Sequence, residues 1–187
     1  MRTSHALIAA AVLAGSALVA AGLARAGDDG KEGGMPAGMP APQKAIHQPF
    51  LDALVGSWTT ESTSKFMGQE HKGKGKVTFA LAVGGTALLE TYENTSDGPG
   101  GQPMTFYGHG IYKLSDDGKS ASVWWLDNFS PEPMKLSGAL SDHGLELSGE
   151  VPPHGKMTIS MSKTADGVTF KLTDPMGEMA EAYKPAH

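Results

Sequence analysis

Residues 155–173 read GKMTISMSKTADGVTFKLT. Met157, Ile159 and Met161 alternate with Thr158, Ser160 and Ser162. After Asp166-Gly167, Val168, Phe170 and Leu172 alternate with Thr169 and Lys171. Alternation with period two is the spacing of half-buried strands. Asp-Gly between two such runs is a hairpin turn, because glycine accepts positive φ cheaply.

The same pattern extends back to Gly56. It predicts strands over 57–67, 73–82, 86–94, 103–114, 120–127, 133–140, 144–151, 155–163, 167–173 and 177–183. Turn residues separate them at Gly84-Gly85, Asp97-Gly98, Asp117-Gly118 and Asp142-His143-Gly144. No segment after residue 56 has room for a crossover helix, which disfavours a parallel sheet. About ten short antiparallel strands in meander order must protect their edges, and closure into a barrel does so. A two-sheet sandwich with Greek-key links is the alternative. Before the strands, Ile46, Phe50, Leu51 and Leu54 share a face at helical spacing, so a short helix is expected from 46 or 47 to 54, stopped by Gly56.

The N-terminus has the build of a secretory signal peptide. Arg2 precedes the apolar run Ala6–Ala24, and Ala24-Arg25-Ala26 fits the small-x-small cleavage box. Cleavage is expected after Ala26, the alternative being an uncleaved membrane anchor, and the protein is expected in the periplasm or outside the cell. Residues 27–45, GDDGKEGGMPAGMPAPQKA, read as a flexible leader. Met35 and Met39 within it could in principle offer soft metal ligands. Residues 46–187 form the barrel domain.

Cleavage removes both arginines and leaves 13 lysines against 20 acidic residues, a net charge of −7 with histidines neutral. An acidic chain disfavours nucleic acid and anionic membranes, and without arginine there is no planar fork for phosphate or carboxylate. There is no cysteine, so disulfides, thiolate metal sites and cysteine nucleophiles are excluded. No cofactor is implied. His47, His71, His109, His143, His154 and His187 include no His-x-His or His-x-x-x-His pair, so no metal site is assigned.

Several landmarks resemble an uncharacterised family of bacterial lipocalin-like proteins, domain of unknown function 1579. They are Leu54-Val55-Gly56-Ser57-Trp58, then Gly84-Gly85 with Leu88-Leu89-Glu90 and Tyr92, then Gly101-Gln102-Pro103 leading into Tyr107-Gly108-His109-Gly110, and Trp125-Leu126-Asp127-Asn128. The resemblance spans about His47 to Tyr183. It implies a lipocalin-like (calycin-like) barrel and no biochemical role. In the wider calycin group a Gly-x-Trp opens the first strand and its indole covers one barrel end, often with a late arginine stacked on it. Here Gly56-x-Trp58 is present and that arginine is not.

The candidate ligand-binding residues are Glu90, Tyr92, Phe106, Tyr107, His109, Trp125 and Asp127. Met104, Phe106, Gly108, Gly110 and Tyr112 would share one face of a strand, with Thr105, Tyr107, His109 and Ile111 on the other. Glycines within a strand mark a bend or a close approach. They either leave room for a ligand or let the strand curve. Trp124 and Trp125 must face opposite ways. Asp127, on the Trp125 face, is costly if it points inward unpaired, unless it lies at the barrel mouth. An inward Glu90 facing Tyr107 or His109 would make a polar pocket floor.

The leading expectation is a carrier of a small apolar or amphipathic molecule in a barrel lumen. A barrel with a filled core, binding partners through loops 95–102 and 128–133, is the second. A hydrolase or isomerase is the third. It would use a carboxylate and histidine pocket, with Glu90 and Asp127 as an acid/base pair. No nucleophile elbow, metalloprotease helix, phosphate loop or dinucleotide fingerprint supports it.

Overall fold

The computed structural model describes residues 43–186, except 67, 99, 100 and 154. The expected signal peptide and most of the leader, with Met35 and Met39, lie outside the described residues, as do His154 and His187. Among the described residues, no helix is long and apolar enough to cross a membrane.

One short helix, α1 (Pro49–Leu54), precedes ten strands: β1 (Gly56–Phe66), β2 (Gln69–Ala82), β3 (Ala87–Asp97), β4 (Pro103–Leu114), β5 (Ser120–Asp127), β6 (Met134–Ser141), β7 (Gly144–Val151), β8 (Gly155–Lys163), β9 (Val168–Asp174) and β10 (Gly177–Pro185). Each strand pairs antiparallel with the next, and β1 pairs with β10 from Trp58↔Pro185 to Phe66↔Gly177, closing the barrel. Strictly sequential order leaves no Greek-key link, so the sandwich alternative is not adopted.

The helix starts later than its apolar spacing suggests. Gln48 precedes Pro49 and is extended (φ −138°, ψ 122°), as the proline ring requires of the residue before it. Pro49 then occupies the start of the helix, where its missing N–H costs nothing. The Gln48 side chain accepts a hydrogen bond from Leu51 N at 3.0 Å and donates one to Ser141 O at 2.7 Å, so it caps the helix and ties it to β6.

The helix plugs one end of the barrel. Phe50, Leu51 and Leu54 are buried against Phe79, Leu88, Leu140, Leu145, Met161, Val168 and Tyr183. Ile46 N donates to Gly85 O (2.6 Å), and the Trp58 indole N–H donates to Leu54 O (2.8 Å). Trp58 thus stands at the helix end, as the Gly-x-Trp resemblance implies. The lysine–tryptophan contact that the structure does contain joins Lys135 to Trp124, 5.2 Å from the ring centroid, on the outer wall.

In the β2–β3 turn, Val83 has φ 52° and precedes Gly84 (64°) and Gly85 (84°). A β-branched residue is strained there, and at 73% exposure Val83 has little packing to lose. Replacing it with asparagine, which tolerates this conformation, is expected to raise stability by roughly 0.5–1 kcal/mol. The urea midpoint would report the gain, and an unchanged midpoint would remove the claim of strain.

Candidate functional site

The interior changes character along the barrel axis. Next to α1 it is apolar and fully buried. A polar belt follows, with Thr60, Ser62, Glu90, Tyr92, Asn94 and Glu181 all buried. Beyond the belt, several inward side chains are half-buried (Ser64, Phe106, Trp125, Asp127, Met134, Leu172 and Met179), whereas Val151 and Met157 on β7 and β8 stay buried. The end away from the helix is therefore less tightly closed than the helix end on β1, β4, β5, β6, β9 and β10.

Of the seven candidate residues, five come from inward-facing positions. Glu90 and Tyr92 lie on the inner face of β3, Phe106 on β4, and Trp125 and Asp127 on β5. Tyr107 and His109 take the alternate positions of β4 and are exposed on the outer wall. The nearest side chain to the His109 ring is Thr91, also outward, at 3.4 Å. Glu90, His109 and Asp127 point to three separate places: the buried interior, the outer wall and the barrel mouth. They form no shared cleft, so the acid/base arrangement expected of an enzyme has no geometric support.

The pocket floor expected from Glu90 with Tyr107 or His109 is built from other residues. Glu90 Oε2 accepts a hydrogen bond from the Tyr112 hydroxyl at 2.5 Å. Burial raises the Glu90 carboxyl to about pKa 7; the Tyr112 phenol works against this and the charge of Glu181 adds to it. Burial likewise raises Glu181 to about 7, opposed by the phenols of Tyr92 and Tyr183. Glu181 Oε1 accepts from the Tyr92 hydroxyl and from Asn94 Nδ2 (3.3 Å), and Asn94 Nδ2 also reaches Ser62 Oγ at 3.2 Å. Desolvation pushes the hydroxyls of Tyr92 and Tyr112 above their ordinary range, so both remain donors.

Above the belt lies a ladder of aromatic rings. Phe106 stacks on Trp125 (centroids 6.3 Å apart, 14°) and on Phe129 (5.7 Å, 16°), and Tyr92 meets Phe106 and Trp125 edge-on at 5.8 and 6.1 Å. Asp127 holds the ladder in place. Its carboxylate accepts from the Trp125 indole (3.0 Å), Phe129 N (2.8 Å), Ser130 N (2.7 Å) and Ser130 Oγ (3.2 Å). Four donors at the barrel mouth offset the cost of an inward carboxylate.

The glycines of β4 make way for protein side chains. A Cβ on Gly108 would collide with the Trp125 ring, and one on Gly110 would sit 3.0 Å from Glu90 Oε2. That part of the lumen is occupied. Gly108→Ala is expected to push Trp125 out of the ladder and cost about 1–3 kcal/mol. A red-shifted tryptophan emission and a lower melting temperature would show it; a spectrum and stability like those of the wild type would mean that the ring is free to move.

Comparison of the chain with models of known protein families and with curated protein sequences finds no match. The closed ten-stranded antiparallel barrel is consistent with the lipocalin- or calycin-like class. Two concavities measure about 250 and 300 Å³, and the second is lined in part by the inward-facing Ser64, Leu172 and Met179. One is between α1 and the β8–β9 turn, the other on the wall formed by β1, β9 and β10. Neither touches the polar belt or the ladder. Among the described residues, no group of three or more His, Asp or Glu side chains is placed to hold a metal ion.

Sequence reasoning did not single out Glu181, Asn94 or Tyr112 as site residues. Glu181 shares the inner face of β10 with Met179 and Tyr183, which was the available signal. Phe129, in the loop 128–133, is the outermost ring of the ladder and is 54% exposed.

Proposed function

We propose that this is an exported, non-enzymatic binding barrel that takes a small apolar or amphipathic molecule at the end away from the helix. The observation that carries the reading is the aromatic ladder of half-buried Phe106 and Trp125 and exposed Phe129, standing over a buried polar floor. Flat apolar surface with a few convergent polar groups is the usual make-up of a small-molecule site. The ligand would lie on the rings near the mouth, since the deeper lumen holds Trp125, Glu90 and the plug of α1. Export is supported by the signal-like residues 1–26.

A second reading, a partner-binding module, has one observation in its favour. Tyr107, Ile111, Trp124 and Leu126 are exposed on the outer wall, and Ile111 is registered against Trp124 across β4–β5. Exposed apolar clusters of this kind often mark interaction sites.

Native mass spectrometry of the protein purified from its own periplasm separates the readings. A chain mass of residues 27–187 with a small released molecule is the expected result. A constant protein adduct in its place would favour the outer wall. Folded protein with no adduct in repeated preparations would count against a tightly held ligand.

A further inference from the structure

Among the described residues, Glu181 Oε2 is the buried side-chain oxygen with no hydrogen-bond partner. Glu181 is 4% exposed, and a buried carboxylate oxygen left unpaired is costly and uncommon. Its neighbours are already committed. Tyr92 and Asn94 donate to the other oxygen, Oε1, and Ser62 Oγ donates to Asn94 Oδ1 at 3.4 Å. The Tyr183 hydroxyl also acts on the carboxylate as a donor, without meeting hydrogen-bond geometry at Oε2.

No counter-charge is built in. Glu90 and Glu181 share the interior, and no lysine among the described residues is buried. The oxygen is closed off from solvent, but the half-buried rim is one inward row away. Glu181 lies one inward row below Met179, which is registered against Ser64 on β1 and Leu172 on β9, and all three are half-buried. Tyr92 connects the two parts of the site: its ring packs edge-on to Phe106 and Trp125, and its hydroxyl bonds to Glu181.

On the reading that the end away from the helix takes a small ligand, we infer that this ligand ends in a cationic hydrogen-bond donor, a primary ammonium group in its simplest form, which seats on Glu181 Oε2. Its apolar part lies along Tyr92 and against the ladder. A charged donor supplies both the missing hydrogen bond and the missing counter-charge, whereas a carboxylate head would face two acidic groups. An alcohol would supply the bond alone.

Three ten-carbon ligands test this: decylamine, decanol and decanoate, titrated calorimetrically into the purified protein at pH 8, where Glu181 is ionised. Decylamine is expected to bind about tenfold or more tightly than decanol, the usual scale for a charge-assisted over a neutral hydrogen bond, and decanoate least. Glu181→Gln is expected to abolish the advantage of decylamine over decanol. Decanol binding as well as decylamine, or an amine advantage that survives Glu181→Gln, would overturn the inference and leave the ligand site standing. Failure of all three to bind would overturn the ligand site itself. Circular dichroism checks that Glu181→Gln folds; if it does not, the ranking of the three ligands on the wild type decides.

Discussion

Melting the protein at pH 5 and at pH 7.5 is expected to give the higher midpoint at pH 5. Glu90 and Glu181 both have carboxyls raised from 4.5 to about 7 by burial. The folded state therefore holds protons that the unfolded chain has already released. Stability from this source is fully present below about pH 4.5, is lost as the pH rises towards 7, and stays level above that. A rise of this size corresponds to at most about 3 kcal/mol for each group. The two carboxyls share one interior, so their effects will not simply add. Even one such term is a large part of the ~5–15 kcal/mol that holds a domain folded. Glu90→Gln with Glu181→Gln should flatten the profile and raise the midpoint at pH 7.5. A double variant with the wild-type slope would show that the pH dependence arises elsewhere.

Phe50→Ala should be the most damaging single truncation, at about 3–5 kcal/mol. Phe50 is 1% exposed and sits with Leu51 and Leu54 in the end of the barrel. The helix has only six residues, too few to be stable alone. It is held by apolar burial, by the Gln48 cap and its bond to β6, and by the Trp58 indole on Leu54 O. Removing the ring leaves a cavity that neighbouring strands, fixed by their ladders, cannot close. Urea unfolding would measure the loss, with the slope expected to stay the same. A cost under about 1 kcal/mol, well below the usual range for a buried aromatic, would make α1 a removable lid and reopen the lumen at that end.

The contrast between β10 and β4 shows what sequence patterning could and could not convey. Strand positions were legible because alternation and Asp-Gly turns are local, and each of the ten strands overlaps its expected span. Which face of β4 points inward was not legible. Tyr107 and Ile111 make the outer face look like core, while Gly108 and Gly110 make the inner face look empty. The space those glycines leave is filled by Trp125 from β5 and Glu90 from β3, so the answer lies on other strands. Glu181 was hidden for a similar reason. Glu181 is one of two glutamates in GEMAEAYKP, one on each face of the strand, and a glutamate in a strand ordinarily reads as solvated. Its donor Tyr92 is 89 positions away. Asp127 was easier: its position at the end of β5 already suggested the mouth, and the donors of its own turn lie within three residues.

The seam between β1 and β10 also governs when the molecule can exist. Trp58 and Pro185 are partners although 127 positions separate them (185 less 58). Until the final strand is available, β1 has a bare edge and the polar belt lacks Glu181. Pairing over such distances is slow to form, because chain closure must precede the contacts that reward it. A nascent chain that lacks its last strand therefore has no route to the finished cylinder, whatever its earlier strands have done. Loss of the last nine residues of the seam would open the whole wall, exposing two raw edges to whatever strand arrives first.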